Sequence, residues 1–449
     1  MTIGIEQYDL SWALKKAGVV IERSPALPVC NHVCIDPDPG SSEVMITATN
    51  LRVTVEVVVP CSCDEDESFV LPHKELTVLT APEKKGAGGR VTLSDPPGAV
   101  DAWALLDKEV AAWYASRTVD KPGNHVPLCE PTIDPKWLVA NVTAPGLVGT
   151  IQGMEHEVWP NYARDVEWGE RQAVDRADFL AELVWVTLSM SVDEARPQLN
   201  MVQVKNGMMV CTDGHRLHRS LRQVTTSDMD LPGPCVAPLI KLLKGSKSVN
   251  LTITKGVSCE ELKPPHSSAN VPLEKQHDEN WLSFTTGEGW TLIYKHKDER
   301  FPPWERIVPN VNGANITVTF DAAQLASTLR RIQKLEKGKP TTLEFKQGMV
   351  SVSACGINST ALFTVDVPAE IRGALDLTPP DTLDSGGQAQ YISCYGESGG
   401  RIFLNGRFAL EAFDKQDGPV TLRLTEPINA IRFDCDERMG VLMPMNGRP

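Results

Sequence analysis

Thr212-Asp213-Gly214-His215-Arg216-Leu217 is the stretch from which the rest of the chain is read. It follows the apolar run Met208-Met209-Val210-Cys211, which suits a buried strand, and it precedes a second alternating stretch. Asp-Gly between two strand-like segments signals a tight turn, because Gly accepts positive φ and Asp can bond its own backbone. Spacing alone reads the hexamer as a β-turn with a charged tip. Two further stretches keep it company: Phe301-Pro302-Pro303-Trp304-Glu305-Arg306-Ile307-Val308-Pro309 downstream, and Val441-Leu442-Met443-Pro444-Met445 near the end.

A chain of 449 residues exceeds one ordinary core, so roughly two to four domains are expected. Its 41% hydrophobic and 23% charged content is that of a soluble globular protein. No apolar run reaches the roughly eighteen residues that a membrane helix needs. Met1-Thr2-Ile3-Gly4-Ile5-Glu6 lacks the basic-then-apolar pattern of a secretion signal, so a cytoplasmic protein with no membrane partner is expected. The eleven cysteines are scattered, and Cys30, Cys34, Cys211 and Cys355 sit in apolar runs, as buried free thiols do. Cys61-x-Cys63 with His73 has no second close pair to complete a structural zinc site. The formal charge of −14 excludes a chain that is basic all over, yet nucleic-acid binding depends on where the cations lie.

In chain order, Ile5 to Ala17 reads as a helix with Ile5, Tyr8 and Trp12 on one face and Leu10, Leu14 and Ala17 beside it. Strands over 44–49 and 53–59 follow, then Phe69 to Leu79, where Pro72 suits a first helical position. The order recurs. A helix over 175–188 carries Phe179, Leu183 and Val186 on one face, strands follow near 201–204 and 208–211, and a Pro-led short helix spans 236–244. A third round opens with the strand Ile316 to Phe320 and a helix capped by Asp321. It continues through strands at 342–345, 349–354 and 360–367 to a short helix near 408–413 and a strand at 420–424. Helix, strands, short helix, strands thus appears three times, about 165 residues apart, beyond solenoid periods. The segments near 100–145, 258–280 and 375–393 are rich in Pro, Gly, Ser and charge, as surface loops are. The first of them holds Trp103, Trp113 and Trp137.

On the third-copy helix Leu325, Leu329 and Ile332 fall in a narrow arc, with Arg330, Arg331, Lys334 and Lys337 opposite. In the second copy Lys241 and Lys244 stand opposite Leu239 and Leu243. Such stripes are ordinarily solvated helix faces. Enzyme chemistry finds no support: no Gly-x-Ser-x-Gly elbow, phosphate-binding Gly-x-x-x-x-Gly-Lys-Ser/Thr loop, His-Glu-x-x-His or paired Cys-x-x-Cys is present.

The hexamer, the Phe301–Pro309 stretch and the terminal Val-Leu-Met-Pro-Met run, taken in that order, resemble the bacterial DNA polymerase III beta subunit family, the sliding clamps of replication. The resemblance implies an α+β chain of three similar clamp domains at 1–168, 169–309 and 310–449, with insertions at the three loop-rich segments. It implies a non-catalytic processivity factor without cofactor, and a head-to-tail homodimer ring that encloses duplex DNA near the nucleoid. A peptide pocket would tether polymerase, clamp loader and repair proteins by short Gln- and Leu/Phe-containing motifs. Matched by motif, that pocket takes Leu199, Thr212, Gly214, His215, Arg216, Leu217, Pro302, Arg306, Ile307, Val441, Leu442, Met443, Pro444 and Met445, with Arg216 and Arg306 orienting polar groups of the peptide. The ring would meet phosphates through Lys15, Lys16, Arg23, Lys241, Lys244, Arg330, Arg331 and Lys334. Two features depart from the family pattern: Trp304 stands where Tyr is usual, and Asn446-Gly447-Arg448-Pro449 replaces a final Arg-Leu. The alternative reading is a clamp-derived interaction scaffold that does not encircle DNA.

Overall fold

A strand running straight into a helix occurs six times among the described residues. Thr2–Glu6 leads into Gln7–Ala17, Phe69–Pro72 into His73–Leu79, and Val166–Asp175 into Arg176–Val186. Met229–Pro232 leads into Gly233–Lys244, Ile316–Asp321 into Ala322–Leu335, and Gly399–Asn405 into Gly406–Phe413. Side-chain caps fix two of these junctions. Asp321 Oδ1 accepts from Gln324 N at 2.9 Å, and Asn405 Oδ1 accepts from Arg407 N at 3.0 Å and Phe408 N at 3.3 Å. Two junctions fall in each of the three sequence rounds, as the α+β repeat requires. The computed structural model describes residues 2–82, 89–94, 139–154, 156, 159–160, 166–193, 195–258, 279–297, 300–314, 316–335, 340–346, 348–354, 364–372, 394–396, 399–414, 416, 418–425 and 429–445.

The chain divides into two compact units, Met1–Arg176 with Ala237–Asp298, and Ala177–Val236 with Glu299–Pro449. Each has one large antiparallel sheet. In the first unit the sheet path runs Leu147–Gln152, Val139–Ala144, Arg90–Ser94, Thr2–Glu6, Val53–Cys63, Trp290–Lys297, Glu279–Thr286, Asn250–Ser258 and Val166–Asp175. In the second it runs from Met229–Pro232 through Met201–Lys205, Met208–Thr212, Arg216–Ser220, Arg438–Leu442, Ile431–Cys435, Pro419–Leu424 and Ile316–Asp321. It then continues to an end at Cys394–Gly396. The middle third of the chain therefore gives strands to both sheets, and the compact units run through the expected 169–309 segment.

Several local expectations change. Ile5 belongs to the first strand, where it pairs with Cys61 on one side and Val91 on the other. Ile3 and Ile5 alternate into the core at period two, so the helix starts at Gln7 and buries Leu10, Ala13, Leu14 and Ala17, while Tyr8 is exposed. The helix expected at 236–244 begins at Gly233, directly off its strand, which leaves Pro238 inside it. Val139–Ala144, expected within an insertion, is a sheet strand paired with Arg90–Ser94 and Leu147–Gln152. Residues 360–363 and 375–393, the three insertion tryptophans, Cys355 and Lys337 lie outside the described residues. No described cluster of three His, Cys, Asp or Glu could hold a metal, and no described helix is long and apolar enough to cross a membrane.

The core of the second unit is aromatic. Trp185 stacks on His218 with centroids 4.1 Å apart, Phe433 stands edge-on to both, and Phe413 contacts Phe433 and Phe320. Burying each such ring contributes on the order of 1.5–3 kcal/mol. Gly440, on the neighbouring strand, makes the packing possible, because a Cβ there would fall 2.1 Å from the Phe433 ring.

His218 is fully buried; its Nδ1 faces the Trp185 carbonyl at 3.2 Å, and burial pulls its pKa from 6.5 to about 3. The unfolded chain therefore binds a proton below pH 6.5 that the folded chain refuses until about pH 3. The stability involved is present above pH 6.5 and is lost as pH falls. Urea midpoints measured from pH 7 to pH 4 should fall more steeply for the native chain than for His218→Phe; equal slopes would contradict a buried neutral imidazole.

Candidate functional site: an apolar cleft beside the terminal strand

The hexamer is a hairpin turn knitted by its own side chains. Thr212 Oγ1 donates to the Arg216 carbonyl at 2.7 Å and accepts from Gly214 N at 3.1 Å. Asp213 Oδ1 accepts from His215 N at 2.9 Å and Arg216 N at 3.0 Å. Gly214 sits at φ +88°, a conformation that L side chains rarely adopt. Beyond the turn, strand Arg216–Ser220 pairs antiparallel with Arg438–Leu442, placing Leu217 opposite Val441. The tail leaves that strand along the turn, with Met443 N donating to the His215 carbonyl at 2.9 Å and Met445 N to the Phe403 carbonyl at 2.8 Å.

The Phe301–Pro309 stretch supplies both the floor and one wall. Phe301 and Trp304 are buried in a cluster with Met201, Val210, Leu217, Met439 and Val441, against which Val308 and Ala430 pack. Trp304 Nε1 donates to Gln203 Oε1 at 3.3 Å, and the Arg219 guanidinium lies 4.8 Å from its ring centroid. Trp304 thus lies beneath the cleft: its ring is held in the core, behind Leu217 and Val441, and does not line the cleft. After the short 3-10 turn Trp304–Arg306, Ile307 is half-exposed at the rim.

The resulting cleft, about 520 Å³, is lined by Thr212, Gly214, His215, Arg216, Leu217, Arg306, Ile307, Val441 and Met443 of the expected set. Val308, Pro309, Thr425, Asn429 and Ala430 complete it. Val308 and Pro309 adjoin a recognised motif and could have been included from sequence; Thr425, Asn429 and Ala430 sit in a loop with no motif. Five expected residues are not among the lining. Leu442 is buried in its strand and Leu199 ends the turn Pro197–Leu199. Pro302 lies on the segment outside the cleft, and Pro444 and Met445 continue along the tail.

The two arginines differ. Arg216 is buried, its Nε donating to Asp213 Oδ2 at 3.0 Å and its Nη1 to Glu411, with the guanidinium carbon 4.0 Å from the Phe408 ring centroid. It lines the cleft while already paired with two carboxylates. Arg306 is exposed, lines the cleft, and has no ion-pair partner among the described residues.

The expected phosphate contacts divide as well. Lys15, Arg23, Lys241, Lys244, Arg330, Arg331 and Lys334 are exposed, although Arg330 is ion-paired with Asp414. Lys16 is not available. It is buried, donating to the carbonyls of Gly245 at 3.2 Å and Leu242 at 3.5 Å, facing Glu288 at 3.8 Å, and lying between the Trp12 and Trp290 rings. It caps the last turn of helix Gly233–Lys244. Adjacent positions on a helix point about 100° apart, which is why Lys15 and Lys16 have opposite fates.

Among solved structures, the DNA polymerase sliding clamp of Caulobacter crescentus matches at 16% identity and a TM-score of 0.72, with both chains covered in full. The DNA polymerase III subunit beta of Pseudomonas aeruginosa matches at 16% and 0.71, again over both full chains. The beta subunit from Thermotoga maritima matches at 12% and 0.68 over both full chains. No family model matches the chain, and no curated protein matches its sequence. The chain has the fold of the bacterial DNA polymerase sliding clamps.

Removing a charged hydrogen-bonding group from a buried site costs about 1.5–3 kcal/mol. Lys16→Met should lower the thermal midpoint accordingly, while Lys15→Met leaves it unchanged. Equal effects in a melting experiment would contradict the burial contrast.

Proposed function

We propose that the chain is a non-catalytic DNA polymerase processivity factor: two copies join head to tail into a ring around duplex DNA, each contributing three clamp domains divided near residues 168 and 309. The observation that carries this reading is the full-length likeness to polymerase sliding clamps combined with the cleft, where three stretches far apart in sequence meet. The cleft would hold a short apolar segment of a polymerase, clamp loader or repair protein. Met443, Ile307 and Val308 offer an adaptable apolar surface, and Arg306 offers an exposed cation with no ion-pair partner among the described residues. One solved neighbour, the sliding clamp of Bartonella birtlesii, is bound to griselimycin.

A ring holds DNA by enclosure, so its lining needs attraction without sequence readout. Lys15, Lys241, Lys244, Arg331 and Lys334 are the exposed helix cations that would supply it, with Arg330 shared with Asp414 and Lys16 withdrawn into the core. Ring closure is supported by the edge of the first unit's sheet. Strand Leu147–Gln152 ends that sheet. Beside it a cavity of about 830 Å³ is lined by Val78, Leu79, Ile151 and Met154. Val78, which lines the cavity, and Val148, on the edge strand, are 68% and 78% exposed. Edge strands with apolar neighbours are surfaces that pairing covers. Enclosure also makes modest cleft affinity sufficient, because a tethered partner experiences a raised effective concentration.

Light scattering at micromolar concentration should give about 98 kDa, twice the 49.2 kDa chain. A monomer at every concentration would instead favour the scaffold reading. Met443→Asp and Ile307→Asp, at exposed cleft positions, should each weaken capture of a labelled Gln/Leu/Phe-containing peptide by about tenfold or more with the melting midpoint unchanged. Leu217→Asp would not serve, since Leu217 is wholly buried and the change would unfold its surroundings. Reversing Lys244, Arg331 and Lys334 to Glu should weaken DNA association and flatten its dependence on salt; an unchanged salt slope would remove these residues from the lining.

A further inference from the structure

Glu411 lies outside every recognised motif, on helix Gly406–Phe413, yet it reaches the cleft wall. One carboxylate oxygen accepts from Arg216 Nη1 and the other from Arg407 Nε at 2.8 Å. Burial pushes its carboxyl up, but the two guanidinium groups outweigh that and hold it below the usual range. Arg216 thus has Asp213 at its Nε, Glu411 at its Nη1 and the Phe408 ring against its face. A guanidinium held on three sides can neither swing toward a bound segment nor present unbalanced charge to it.

We infer that Glu411 is a positioning residue that sets the charge preference of the cleft: by cancelling and immobilising Arg216 against Phe408, it makes that end select a neutral apolar segment over an acidic one. This rests on the peptide-cleft reading. Glu411→Gln keeps the side-chain volume and removes the counter-charge, leaving Asp213 as the one carboxylate against Arg216. Arg216, Arg407, Asp213 and Glu411 together carry no net charge, and without the Glu411 charge the group is left with one net positive charge. An acidic residue on the bound segment would then be drawn to it.

The test uses the full chain and two fluorescent peptides, a neutral Gln/Leu/Phe-containing heptapeptide and the same peptide with one residue changed to Asp. The wild-type chain should favour the neutral peptide. In Glu411→Gln the ratio of affinities should move toward the acidic peptide by about tenfold, and the gain should shrink in high salt. The shift should vanish when Arg216→Gln is also present, and Glu411→Asp should restore part of the wild-type preference. A role confined to stability would lower the melting midpoint without moving the ratio. An unchanged ratio in Glu411→Gln, with wild-type capture intact, overturns the assignment of Glu411. Failure of the wild-type chain to capture either peptide overturns the cleft reading and this inference together.

Discussion

The antiparallel pairing of Arg216–Ser220 with Arg438–Leu442 is the constraint on which the cleft depends. It joins a strand from the middle of the chain to one near its end, and it fixes Leu217 opposite Val441. Because side chains alternate across a strand, a slip of one residue would send both to the other face. One face of this pair meets Phe301 and Trp304; the other carries His218, stacked on Trp185, and Gly440, under Phe433. Both faces are therefore specified, and the register has no competing solution. The turn, the tail and the Phe301–Pro309 stretch converge because they are attached to this one ladder.

Much of this was legible in the residues. Asp-Gly at a strand end announced the hairpin, and the period of Leu325, Leu329 and Ile332 announced a helix with its cations outward. What failed has a physical cause in each case. Ile5 fits a helical period and a strand period equally well over so short a run; the sheet claimed it because Ile3 and Ile5 fill adjacent inward positions between two strands. Lys16 reads as one more surface cation, and only the fold could bring two carbonyls, a carboxylate and two indoles around it. Likewise Arg216 belongs to a recognisable motif, whereas its partner Glu411 is 195 positions away with no local pattern to mark it. Periodicity reports which face is buried, not which long-range partner will meet it.

Electrostatics links the two ends of the reading. With a net charge of −14, the chain would be repelled by DNA if charge were spread evenly. The exposed helix cations among the described residues are few; on the proposed ring reading a few suffice, since retention would rest on topology and attraction would need only to centre the duplex. The cleft follows the same economy: of its two lining arginines, Arg216 is paired with two carboxylates within the wall, and on the proposed reading apolar contact would do most of the recognition.

Topology is also what one experiment reaches most directly. Duplex DNA attached to a bead by one end is incubated with the chain, the free end is then capped with bound streptavidin, and the bead is washed in high salt. A ring that has threaded onto the duplex survives the wash only when the cap is present, and cutting the DNA releases it. Retention that is equal with and without the cap, or absent in both, would contradict enclosure and leave a protein that shares the clamp fold without encircling DNA.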